Sequence, residues 1–190
     1  MNTLAPTRSP MARAAWRYDA IAVTLHWALA LLLAGMVALG WFMMSVEHDP
    51  GAARYFELHK SLGLVVAMLV VLRLGWRWTH RPQPLPVTVP QRQARLASAL
   101  QALLYLLMVL LPLAGYLGAS SSKSGVAFFG LALPVWTVPD HNRAEWFFGL
   151  HSALAWALVV LVAGHTAAAV RHLFVAGDGV FQRMGFRSRH

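Results

Sequence analysis

Four histidines stand inside long apolar runs of this 190-residue chain: His26, His59, His151 and His165. An imidazole surrounded by hydrocarbon is costly, so it is kept for a job. It can bridge helices by a hydrogen bond, relay a proton, or give a ring nitrogen to a metal. Spacing sorts these options. His151 and His165 lie 14 residues apart in the run "GLHSALAWALVVLVAGHTAAAV". At 3.6 residues per turn, 14 residues fall only about 40° short of four full turns, so both side chains leave nearly the same helix face. Their axial separation is about 21 Å. In a hydrocarbon core about 30 Å thick, one histidine lies near each surface.

The other two can be placed by depth. His26 sits in the first third of an apolar stretch running from the inner side outward, which puts it level with His165. His59 opens a stretch running back inward, level with His151. Two histidine pairs at two depths result: His26/His165 inside and His59/His151 outside. A bis-histidine pair on facing helices is how a bundle holds a b-type haem, each neutral imidazole giving one nitrogen to iron. Two proton-relay pairs are the alternative, although relays do not require matched levels. The remaining histidines read differently. His48, His80, His141 and His190 fall in loops or at the terminus as solvated side chains, and His172 beside Arg171 reads as a snorkelling residue at the inner boundary.

A haem also needs room and counter-charges. Gly40 lies 14 positions after His26, and Gly63 one turn after His59, so both relieve histidine-bearing faces. Arg73, 14 positions after His59, reaches the inner level, where it would meet a haem propionate or mark topology. Lys60, Lys123 and Arg143 are the cations nearest the outer pair and are the candidates for attracting an anionic substrate there. Gln101, Tyr105, Pro112 and Tyr116 in the third apolar stretch pack and kink a helix or line a quinone pocket; spacing does not choose between these.

These residues need long helices to position them, and the composition supplies four. Hydrophobic residues make up 58% of the chain and charged residues 12%, with a mean hydropathy of +0.53. Soluble domains carry about 25% charged residues, so an integral membrane protein is the class implied, and intrinsic disorder is excluded. The apolar stretches cover about 19–44, 58–78, 95–119 and 149–175, each near the ~20 residues that cross a bilayer as a helix. The first follows Arg8, Arg13 and Arg17, but it is too long for a signal-peptide core and is expected to be a retained helix. The proline-rich "RPQPLPVTVPQRQ" is an extended linker between the second and third stretches. Residues 124–148 are expected as a periplasmic surface segment, because the apolar part Val126–Val138 is too short to span and contains Pro134. Trp41, Trp76, Trp78, Trp136 and Trp146 fall near the expected interfaces. The expected fold is therefore all-α: one membrane domain over 1–190, a four-helix transmembrane bundle holding two b haems.

Charge sets the orientation and removes other functions. With the N-terminus inside, 12 of the 16 lysines and arginines lie on the inner side, leaving only Arg54, Lys60, Lys123 and Arg143 outside. Both termini are thereby cytoplasmic. The formal charge of +9 is spent at helix ends as a topology signal and does not indicate nucleic acid. The outer side carries five of the seven acids, Glu47, Asp49, Glu57, Asp140 and Glu145, for a net of −1 against its four cations. The absence of cysteine excludes disulfides, thiolate chemistry, iron–sulfur clusters and covalent haem attachment.

The segments "LHWALALLLAGMVALGWFM", "ELHKSLG", "LLPLAGYLG" and "LHSALAW…AGHTAAAVRHLF" resemble, in order and over nearly the whole chain, the bacterial cytochrome b561 family. The resemblance implies four transmembrane helices and two b haems whose ligands match His26, His59, His151 and His165. It further implies electron transfer in the bacterial inner membrane between a small periplasmic redox partner and quinone, ubiquinone in members that oxidise superoxide. Relatives carry paired histidines near the end of the fourth helix where this chain has Arg171-His172, which leaves any protonation role for that pair open. Two other classes compete: an electron-transfer subunit anchoring a soluble dehydrogenase or hydrogenase, normally longer by a helix, and a haem-free transporter or assembly protein.

Overall fold

The computed structural model describes residues 17–80 and 90–185. Arg8, Arg13, Arg81, Arg187, Arg189, His190 and most of the proline-rich linker lie outside the described residues. Four helices, α1 (Ala20–Ser45), α2 (Ala53–Thr79), α3 (Gln91–Ser121) and α4 (His141–Arg171), carry the chain, and each is long and apolar enough to cross a membrane. Between α3 and α4 lies one small antiparallel hairpin, β1 (Ala127–Phe128) and β2 (Leu131–Ala132).

The ends follow local chemistry. Asp19 caps α1, its Oδ1 accepting the Ala22 N–H at 2.9 Å. The same carboxylate accepts the Trp76 indole N–H at 3.0–3.1 Å and so ties the start of α1 to the end of α2. Burial alone would raise the Asp19 carboxyl, but these donors outweigh it and hold the group below its ordinary value. Asp140 caps α4 through the Arg143 N–H at 2.9 Å. That cap starts α4 at His141, eight positions before the expected 149, so residues 141–148 are helical. Likewise α2 begins at Ala53, which places His59 in its second turn. Beyond Arg171 the chain widens into a single π turn, His172–Ala176, closed by Gly177 in the left-handed region (φ 58°).

Packing concentrates in two apolar layers. Leu29 of α1 meets Val66 and Val70 of α2, and Leu104 and Leu107 of α3 meet Leu158 of α4. Leu158 lies seven residues from both His151 and His165, and Val66 lies seven from both His59 and Arg73. Leu158 and Val66 therefore fall midway between the histidine levels, about 10 Å along the axis from each, while Leu29, three residues from His26, lies nearer that level. Helices α3 and α4 approach closely where Gly118 faces Phe148: a Cβ there would stand 2.7 Å from the ring. Most other side chains on the helices face outward and are apolar, Leu31, Met68, Val71 and Val160 among them, as a lipid-facing surface requires.

Candidate functional site

The helices bring the four intramembrane histidines together as two pairs. The His26 and His165 rings lie 6.3 Å apart between centroids, and the His59 and His151 rings 6.1 Å apart. One metal ion held between two imidazoles needs two metal–nitrogen bonds of about 2.0 Å and two nitrogen-to-centroid distances of about 1.1 Å, a total near 6.2 Å. Both pairs match that span. No cluster of three or more His, Cys, Asp or Glu able to hold a metal exists among the described residues. A two-nitrogen donor set suits an iron whose other four ligands come from a porphyrin.

The surroundings of the His59/His151 pair support this fit. His151 Nδ1 lies 2.9 Å from the Leu111 carbonyl oxygen. A carbonyl only accepts, so Nδ1 carries the proton and the Nε2 lone pair is left for a metal. His59 Nδ1 is buried without a hydrogen-bond partner. Space is provided by glycines. A Cβ on Gly40 would stand 3.5 Å from His59 Cε1, whereas one on Gly115 would stand 2.9 Å from His151 Nδ1 and 3.1 Å from its Cε1. Gly63, expected beside a histidine, instead faces the Met36 methyl, with 3.8 Å available.

At the His26/His165 pair Arg73 is the central neighbour. Its Nη1 donates to the Ala22 carbonyl at 2.8 Å and its Nη2 to His26 Nδ1 at 3.2 Å. A guanidinium only donates, so in this arrangement the neutral His26 ring carries its proton on Nε2. Ligation through Nε2 therefore requires Arg73 to leave Nδ1. Trp27 packs edge-on against His26, with ring centroids 5.4 Å apart, and its indole N–H donates to the Met184 carbonyl at 2.9 Å. The segment after α4 thus folds back across the start of α1, where Tyr18 N–H also donates to the Arg183 carbonyl at 3.3 Å. His172, expected as a snorkelling residue, holds Asp178, Nδ1 to Oδ2 at 2.6 Å. Burial would raise the Asp178 carboxyl, but the Val180 N–H and His172 together hold it below its ordinary value.

The cations expected on the outer side are less available than their sequence positions suggest. Lys60 Nζ pairs with Glu57 at 2.5 Å and donates to the Gly125 carbonyl at 3.1 Å, and its side chain is only 17% exposed. Arg143 pairs with Asp140 at 3.6 Å. Lys123 has no ion pair among the described residues. Gln101 accepts from Arg77 at 3.3 Å, and Arg77 lies over the Tyr105 ring at 5.8 Å. Tyr116 OH donates to the Pro134 carbonyl, so its hydroxyl serves the inter-helix segment.

Four membrane-length helices carry two closely spaced histidine pairs, and similarity to known proteins supplies the family. A family model described as prokaryotic cytochrome b561 matches residues 17–187. The chain belongs to the prokaryotic cytochrome b561 family. It is 34% identical to cytochrome b561 homolog 2 of Escherichia coli (strain K12) over 171 residues, covering 88% of this chain and 90% of that protein. It is 28% identical to cytochrome b562 of Cereibacter sphaeroides over 177 residues, 88% of this chain and 94% of that one. The probable superoxide oxidase CybB of Yersinia pestis is 24% identical over 176 residues, 88% and 95% of the two chains. This is accordingly a multi-pass membrane electron-transfer protein of a haem b family.

Sequence reasoning missed Gly115 and the Leu111 carbonyl. Their signal was present in "PLAGYLG", where Gly115 and Gly118 at i, i+3 mark a face on which another helix comes close. What the spacing could not say was that a histidine sits against that face.

Proposed function

We propose that this chain is a dihaem cytochrome of the bacterial inner membrane that passes single electrons between a small periplasmic donor or acceptor and membrane quinone. One haem b is held by His26 and His165 near the inner surface, the other by His59 and His151 near the outer. The observation that carries the reading is the ring separation of 6.3 and 6.1 Å in the two pairs, each wide enough for one ion between two imidazoles. When bound, haem supplies an iron that gains or loses one electron at a time. The protein's own part is placement. Helix α4 runs unbroken from His141 to Arg171 and so holds His151 and His165 at the two levels. Leu158, Leu104 and Leu107 fill the layer between them with hydrocarbon and keep water out. Leu111 fixes the His151 tautomer, and Arg73 is the cation positioned to receive a propionate once it leaves His26. Both termini are cytoplasmic in this reading, as the charge bias requires.

Superoxide is the proposed outer substrate and ubiquinone the acceptor. Two superoxide anions release two electrons as they become dioxygen, and ubiquinone takes those two electrons with two protons to become the quinol. Support comes from the name of the Yersinia relative. Of the three candidate outer cations, Lys60 and Arg143 are already paired, which leaves Lys123 to attract an anion.

A reduced-minus-oxidised spectrum of the purified protein, with haem quantified per chain, tests the central claim: two haems are expected, and none would end it. The pairing has its own test. His165→Ala should remove only the inner haem and His151→Ala only the outer; full occupancy of both in either variant would overturn the ligand assignment. Stopped-flow mixing with superoxide, with and without ubiquinone, decides the substrate.

A further inference from the structure

The segment between α3 and α4 does not stand above the bundle. Its hairpin turn holds Phe129 and Gly130, both at positive φ (47° and 88°). Two-residue turns of this kind favour Asn or Gly first, because a bulky side chain crowds its own backbone there. An aromatic residue occupies that place although its side chain faces outward: Phe129 is 61% exposed, and its ring contact is with Phe128. The turn is held by Ser61 of α2, whose buried Oγ accepts the Phe129 N–H at 2.9 Å.

That bond also sets a depth. Ser61 is eight residues into α2, about 12 Å along the axis from the helix end. The 27 residues of α2 make a rod about 40 Å long against a hydrocarbon core of about 30 Å, leaving an overhang of about 5 Å at each end. The hairpin tip therefore falls several ångströms below the hydrocarbon boundary, alongside α2. Its composition suits that depth. From Gly125 to Pro139 there is no charged residue, and Leu131, Trp136 and Val138 are exposed together with Phe129. At the hairpin, Ala127 pairs with Ala132 and Phe128 with Leu131, and the Phe129 N–H donates to Ser61, which lowers the cost of placing this turn in hydrocarbon. The exposed aromatics Trp41 and Phe42 at the end of α1 and Trp146 near the start of α4 continue the same belt around the bundle.

We propose that the 127–132 hairpin is a re-entrant finger whose Phe129 tip rests among lipid acyl chains below the outer headgroups. The occupant of this surface is lipid: a soluble protein partner has no access at that depth. The assignment does not depend on haem occupancy. Because the chain has no cysteine, a nitroxide can be placed by Phe129→Cys alone in the full chain reconstituted into phosphatidylcholine/phosphatidylglycerol vesicles. Leu131→Cys is the second tip position, and His48→Cys, with a 93% exposed side chain, is the aqueous reference. Power-saturation EPR should give a ratio of oxygen to aqueous nickel-chelate accessibility several-fold higher at both tip positions than at His48. A nickel accessibility at the tip equal to that at His48 would place the finger in water and overturn the proposal. Shielding from both agents would show a protein contact, a second copy included, and would overturn it equally.

Discussion

Gly115 is the position at which a single methyl group should separate the two histidine levels. In Gly115→Ala the new Cβ would stand 2.9 Å from His151 Nδ1 and 3.1 Å from Cε1, where ordinary contact begins at 3.4 Å. The ring must move by about 0.5 Å or rotate off its rotamer, against the 2.9 Å bond that ties Nδ1 to the Leu111 carbonyl. Overpacking of this kind and partial loss of the bond cost about 1–3 kcal/mol. If that cost falls on the ligating geometry, haem affinity at the His59/His151 level drops by roughly 5- to 150-fold. The helix itself should not suffer, since alanine is favoured over glycine by about 1 kcal/mol in a helix interior. Two comparisons isolate the cause. Gly40→Ala brings a Cβ to 3.5 Å from His59 Cε1, an ordinary contact, and Gly164→Ala meets nothing within 4 Å; both should keep their haems. Haem titration of each purified variant, followed by the reduced-minus-oxidised spectrum, gives the readout. The reasoning is refuted if Gly115→Ala retains parental affinity at the outer level, or if the inner level is the one that weakens.

Other outcomes follow from the same geometry. Lys123→Ala should lower the rate with an anionic outer donor and flatten its salt dependence, while Arg143→Gln, already paired in the parent, should leave that dependence unchanged; stopped-flow rates across a salt series distinguish them. Because the Asp178 carboxyl is held below its ordinary value, its contribution to the turn after α4 is fully present above the ordinary carboxylate range and is lost as pH falls through the lowered value. Amide protection factors over residues 177–185, corrected for the intrinsic pH dependence of exchange, should therefore fall as pH drops below the ordinary carboxylate range in the parent, and Asp178→Asn should abolish most of that change. Arg73→Gln removes the cation facing His26 and should shift the redox midpoint of the inner haem downward while the outer one stays, as paired potentiometric titrations would show.

Much of this protein is legible in its sequence because the bilayer permits so few solutions. A helix satisfies its own backbone, so four apolar runs mean four helices, and a rise of about 1.5 Å per residue turns histidine spacing into depth. That arithmetic, with the alternating direction of successive helices, groups His26 with His165 and His59 with His151. Helix ends were less legible: the Asp140 cap starts α4 at His141 because a local side-chain bond overrides the apolar pattern. Lateral relations were not legible at all. Which helix face meets which neighbour depends on packing among residues distant in the chain, and only the assembled bundle puts Gly115 of α3 against His151, Arg73 against His26, and Ser61 beneath the Phe129 turn. Sequence periodicity determined how deep each group lies; tertiary packing decided what stands beside it, because depth is set along one helix and neighbours are set between helices.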